Sequence, residues 1–262
     1  MKQILMLPLA IGFLALMSVA AQAYDPPAAS AVAVGGIKFN AATALDEDYR
    51  AQFKKCDTQD IFRGIQLQGW RKCSGDKNNV DALLKFPGGA VFFESKMSLD
   101  LDGSWKACNS PGLADLCPTW YNWKGKTGKA AFVDSEAIAF IVIPIAGPAA
   151  HKKEFRSKTG IGAGDFAVVI YDGKVVPAFV ADGGPFNKMG EASNAVFKAV
   201  GKDRCRKTNA DGHCIKFLEA SIEGDVLYFV FPGSARSDLT PDNAGAVINE
   251  EAMKRFNALK SP

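Results

Sequence analysis

Apolar residues fall into short runs along most of this chain, and the spacing within the runs changes twice. In "ATALDEDYRAQFKKCD", Leu45, Tyr49 and Phe53 recur every four residues, with acids before them and lysines after, which predicts a helix. From Val80 onward the pattern shortens. "GGAVFFESKMSLDLDG", "EAIAFIVIP", "GDFAVVIYDG" and "KVVPAFVAD" are rich in Val, Ile and Phe and bounded by Gly, Pro and Asp, the composition of strands. Tyr171-Asp172-Gly173-Lys174 predicts a hairpin turn between Val168–Ile170 and Val175–Val180, so that the second strand delivers Asp182. In "EASNAVFKAVG", Ala192, Val196, Phe197 and Val200 share one helical face and Gly201 stands as a C-terminal cap, which predicts a helix starting at Glu191. The tail adds a strand, "DVLYFVFPG", and an amphipathic helix, "INEEAMKRFNAL", with Met253, Phe256 and Leu259 at three-residue steps.

No linker interrupts residues 37–260 and no repeat appears. The expected fold is therefore α+β and mainly β, a single domain with a sheet or barrel-like core and a few peripheral helices. The first 23 residues carry Lys2, an apolar run from Ile4 and a small-x-small end at Ala21 and Ala23, the pattern of a cleaved secretory signal. Residues 24–36 then read as a flexible leader and 37–262 as the functional domain. No other apolar run is long enough to span a bilayer, so no membrane partner is expected after cleavage, and the destination is the periplasm or the exterior.

The formal charge is +3, one less once Lys2 is removed, far from the concentrated basic stripe that nucleic-acid binding requires. The six cysteines, Cys56, Cys73, Cys108, Cys117, Cys205 and Cys214, are an even number in an exported chain and are expected to form disulfides. Fifteen pairings of six cysteines are possible. The sequential set, 56–73, 108–117 and 205–214, closes only short polar loops and is preferred over the others. A zinc site lacks ligands: there is no C-x-x-C pair and the histidines are only His151 and His213.

Several chemistries are missing from the sequence. There is no P-loop, no G-x-S-x-G elbow and no H-E-x-x-H, and the glycines of "TGIGAGDF" lead into a strand instead of opening a helix. Carboxylates remain. In "DGGPFNKMGEAS", Gly183, Gly184, Pro185 and Gly190 build a turn that can fold Asp182 and Glu191 back toward each other, and two carboxylates suffice to cleave a glycosidic bond. The same two residues also suit a turn start and a helix N-terminus, which need no chemistry.

"VADGGPFNKMGEAS" resembles the G-D-x-G-P…G-E-A-S segment of the chitosanases of glycoside hydrolase family 75. "FFESKMSLDLDG" is similar to the family's segment ending D-x-D-G, "FIVIP" to its following buried strand, "GAGDFAVVIYDGK" to its G-D strand and hairpin, and "YFVFPGS" to its closing strand. Together these cover about Lys85 to Ser234. Ala181 stands where the family usually has glycine, and Gly183 where threonine or valine is usual.

The resemblance implies an inverting, endo-acting hydrolase of chitosan with one essential Asp and one essential Glu, which fall on Asp182 and Glu191, and no metal or cofactor. A carboxylate in the first turn of a helix is favoured in its charged form, which points to Glu191 as base and Asp182 as acid unless burial of Glu191 reverses the order. A polycationic substrate calls for further acids, and Asp100, Asp102 and Asp165 are the candidates. Calcium at "DLDG" lacks the glutamate that completes such a loop. Trp105 and Trp123, beside Trp120 and Tyr121, are candidates for stacking on sugar rings, with core packing the alternative. Two other readings stay open: a non-catalytic exported polysaccharide-binding protein on the same fold, and a glycosidase of the cell wall.

Overall fold

The computed structural model describes residues 24–260, so the expected signal segment lies outside the described residues. Eight strands share one sheet: β1 (Thr43–Ala44), β2 (Ala82–Lys85), β3 (Val91–Asp100), β4 (Phe140–Ala146), β5 (Phe166–Tyr171), β6 (Lys174–Pro185), β7 (Glu191–Ser193) and β8 (Ile222–Val230). Their order is β1-β2-β3-β8-β5-β6-β4-β7, and β7 pairs again with β3, so the six strands from β3 round to β7 close into a barrel. The β4–β6 and β3–β7 joins are parallel and the other barrel joins antiparallel. The hairpin expected at Asp172-Gly173 is present, with Tyr171 opposite Lys174 and both turn residues at positive φ.

Strand alternation produces two apolar layers. On β8, Val226, Tyr228 and Val230 enter one cluster and Leu227 and Phe229 the other. The first cluster draws on every barrel strand and on three helices, α1 (Glu47–Gln59), α4 (Asn194–Ala199) and, through Phe155, one of the short helices between them. Between them in the chain lie the short helices α2 (Trp105–Asn109) and α3 (Glu154–Thr159). The second cluster is covered by α5 (Ala244–Ala258), which buries Ala244, Ile248, Ala252 and Phe256 at four-residue steps. That helix starts four residues before the amphipathic run read from the sequence, and Met253 and Leu259 pack at the margin of its buried row. Phe229 meets Phe92 and Phe256 within this layer, and its loss to alanine is expected to cost about 3 to 5 kcal/mol.

α1 forms as its sequence dictates. The Asp46 carboxylate accepts from the Tyr49 N–H at 2.8 Å, Glu47 and Asp48 occupy the first turn, and Asp60 ends the helix in the left-handed region. The residues expected as a flexible leader are packed: the Tyr24 hydroxyl donates to Glu94 at 2.6 Å, its ring lies against Phe39 and Phe92, and Val34 is buried. The disulfides join Cys56 to Cys73, Cys108 to Cys117 and Cys205 to Cys214, the sequential set, over separations of 17, 9 and 9 residues.

Candidate active site

The parallel β4–β6 pair contains one irregular step. Ile141 lies opposite Val180, but Val142 lies opposite Asp182, so Ala181 is an extra residue, a β-bulge. Regular alternation from Val180 would direct Asp182 to the same face as Val180. The bulge turns it instead to the face of Val142. On the other side of β4, Val142 also pairs with Glu191, and Glu191 pairs with Ser98 of β3. Asp182, Val142, Glu191 and Ser98 thus form one row across four strands. Two strand spacings separate the backbones of the two acids, about 9.5 Å in a flat sheet.

The loop before β4 holds the bulge in place. The Tyr121 N–H donates to the Ala181 carbonyl at 2.7 Å, and the Trp120 N–H donates to Asp182 Oδ1 at 2.9 Å. The Gly183 N–H reaches the same oxygen at 2.8 Å. A Cβ on Gly183 would stand 2.5 Å from the tip of Ile145, so a side chain at this position requires Ile145 to shift. Gly184 serves Glu191: a Cβ on it would stand 2.7 Å from Glu191 Oε2.

Glu191 is a strand residue. The helix expected to begin there begins at Asn194, because residues 191–193 are taken up by pairing with β3 and β4. The helix N-terminus therefore has no part in its acidity. Burial pushes the Glu191 carboxyl up, and the Lys96 ammonium opposes that rise.

Asp100, at the end of β3, and Asp102, in the following turn, meet Asp182: one carboxylate oxygen from each of the three lies within 4.8 Å of the others. Burial raises both added carboxyls, Asp102 to about 10, and the charge of Asp182 adds to the rise in each. Asp100 Oδ2 is buried without a partner in this acid group. The three oxygens are close enough to hold a cation, but shared protons relieve the same crowding without one.

These acids line a cleft of about 790 Å³. Asp76, Glu219 and Glu223 join Asp100, Asp102, Asp182 and Glu191 on its walls, and among the described residues no Lys, Arg or His lines it. The net positive charge of the chain is carried elsewhere; neither "HKKEFRSK" nor "GKDRCRK" reaches the cleft.

Asp165 is not in this group. It is buried, and its carboxylate accepts the N–H groups of Gly162 at 2.7 Å, Ser234 at 2.9 Å and Ala235 at 3.1 Å, tying two loops together. Trp105 and Trp123 line a separate groove: Trp105 stacks on His213 with ring centres 5.5 Å apart, and Trp123 is buried against Tyr121 and Phe179. The cleft has a different aromatic, Trp70, which is 72% exposed. Its loop is fixed by the Cys56–Cys73 bridge and by Asn187, whose side chain donates to the Arg71 carbonyl at 2.8 Å. The sequence signal for Trp70 was only its neighbourhood, a Gly-Trp in a short disulfide loop.

A rigid barrel wall that presents a pair of acids to an open, acid-lined cleft has the parts of a hydrolase that attacks a glycosidic bond. The family described as fungal chitosanase of glycosyl hydrolase group 75 matches residues 97–261, and the chain belongs to that family. It is accordingly a chitosanase-type glycoside hydrolase. Comparison with curated proteins gives no match.

Proposed function

We propose that this protein is an exported endo-chitosanase that hydrolyses β-1,4-linked glucosamine polymer with inversion, using Glu191 as general acid and Asp182 as general base. The observation that carries this reading is the shared row: Asp182 and Glu191 flank Val142 on one face of the wall, inside a cleft lined by acids and, among the described residues, by no Lys, Arg or His. A cleft of that sign attracts a polycation and repels anionic polymers.

Environment supports the division of roles. Burial favours the protonated form of Glu191, as a proton donor to the leaving oxygen requires. Two backbone N–H donors fix Asp182 Oδ1 in one orientation, as a base that positions a water requires. This order is the reverse of the one the helix-terminus argument gave, because Glu191 is not on a helix. The backbone separation of about two strand spacings leaves space for a water between acid and base, in keeping with inversion, where the carboxyls stand about 6.5 to 9.5 Å apart. Three disulfides support an oxidising destination outside the cytoplasm.

The test is the product from fully deacetylated chitosan, followed by NMR at early times. Short oligomers released with the α-anomer first are expected. Release of the β-anomer first overturns inversion; an intact polymer, with only binding detected, overturns the enzyme reading; cleavage of peptidoglycan in preference to chitosan overturns the substrate.

A further inference from the structure

Behind the wall that carries Glu191 lies a group of charges that the reaction as described leaves idle. Lys96, on β3, has no exposed surface, and Lys188, in the turn before β7, is almost as buried. Both ammonium groups converge on one carboxylate, Asp76. Lys96 Nζ pairs with Asp76 Oδ2 and with the Ser98 hydroxyl, and Lys188 Nζ lies 3.5 Å from the same Asp76 oxygen. Lys188 also donates to the carbonyls of Lys72 and Asp76, each at 2.9 Å. The hydroxyls of Ser98 and Ser221 complete the shell of Asp76 Oδ1, each at 3.0 Å.

Two features set this group apart from an ordinary structural tie. Its charges do not cancel: two ammoniums share one carboxylate, and burying the second carries a desolvation cost that a tie with one lysine would not incur. Its position is also specific. Ser98, which contacts both Lys96 and Asp76, is the register partner of Glu191, and Asp76 itself lines the cleft while the lysines stand behind it. A polycationic chain therefore meets an acid surface, and Glu191 meets the positive charge beneath.

We propose that Lys96 and Lys188, held by Asp76 and Ser98, are positioning residues that set the protonation of Glu191 during the reaction; this rests on the reading of Glu191 as the acid. The other titratable groups facing Glu191 are Asp182 of β6, Asp100 of β3, Asp102 of the next turn and the Tyr228 hydroxyl of β8, and none of them is cationic. Burial alone drives the Glu191 carboxyl up, and Asp76 and Asp182 push the same way. Lys96 and Lys188 are the two groups that pull it back. A general acid works best when its proton is held at the operating pH yet released in the transition state, so the lysines correct an excess that the buried position creates.

The experiment is the pH dependence of kcat/KM on deacetylated chitosan oligomers, paired with titration of the Glu191 carboxyl by 13C NMR. Lys96→Met and Lys188→Met are expected to move the basic limb up by on the order of 1 pH unit, and Asp76→Asn to move it down. Lys188→Met leaves one ammonium, Lys96, paired with one carboxylate, Asp76, so it keeps a readable folded variant if either of the other changes fails to fold. A fall in Tm with an unmoved limb and an unmoved Glu191 titration overturns the inference. Movement of the acidic limb instead leaves the lysines their role and makes Glu191 the base. If the wild type cuts no chitosan, the proposed function fails, and the NMR titration of the wild type against Lys188→Met still decides whether the group governs Glu191.

Discussion

Two grooves on this barrel carry tryptophan, and they differ in almost everything else. The groove beside Trp105 and Trp123 has more rings, yet each ring is already occupied, Trp105 by His213 and Trp123 by Phe179 and Tyr121, and Lys126 and Lys129 stand at its border. Among the described residues, the acid cleft has one tryptophan, Trp70, with the Arg71 guanidinium 5.1 Å above its ring, and no basic residue on its walls. Density of aromatics in the sequence pointed to the first groove. Free ring surface and the sign of the lining charge point to the second.

The comparison breaks most sharply at the two acids. Asp182→Asn and Glu191→Gln should each lower kcat on chitosan by about a thousandfold, while Trp105→Ala leaves kcat within about twofold of wild type. The reverse ranking would move the active site to the other groove. Gly184→Ala should cost about tenfold to a hundredfold in kcat without unfolding the barrel, since the new methyl meets the Glu191 carboxyl and displaces it. Steady-state kinetics at matched folding, checked by circular dichroism, decides this.

Trp70→Ala should act on KM alone, by about fivefold, the worth of one stacking contact of about 1 kcal/mol, and Trp105→Ala should leave KM unchanged while lowering Tm. Equal KM effects from both would erase the distinction between a free and an occupied ring. The smallest effect is on stability. Burial raises the carboxyls of Asp100, Asp102 and Glu191 above the values of the unfolded chain, about 4, so Tm should fall as pH rises from 5 to 8. Asp102→Asn should flatten that fall by a few degrees, read by thermal melts across the range.

Much of the frame was legible because it is local. The Asp172-Gly173 hairpin, the strand that carries Asp182, the helix from Glu47 and the three disulfides all follow from spacing within about twenty residues. The site was legible only in part. Asp100, Asp102, Asp182 and Glu191 were each identifiable by residue type and by resemblance, but the reason that they share a face is the extra residue at Ala181, and a bulge is defined against its partner strand 39 positions away. Asp165 shows the same limit from the other side. It follows a glycine and precedes a strand, much as Asp102 precedes a glycine after one, and only the amides of Ser234 and Ala235 reveal it as a loop tie. Glu191 began a sound helical pattern, and long-range pairing to β3 and β4 overrode the local preference for its first three residues. Nothing in the sequence marks Lys96 as buried, because its partner Asp76 approaches from a loop.

The three bridges have a consequence for how the chain is made. Each thiol finds its partner within a loop of 9 or 17 residues, a closure that costs little entropy and needs no barrel strand to have found its register. Oxidation can therefore run in the order of synthesis, from Cys56 to Cys214, with each pair complete before the next emerges. Biogenesis on this plan needs an oxidant but no reshuffling catalyst, and a secretion host lacking disulfide isomerase should still deliver correctly bridged protein.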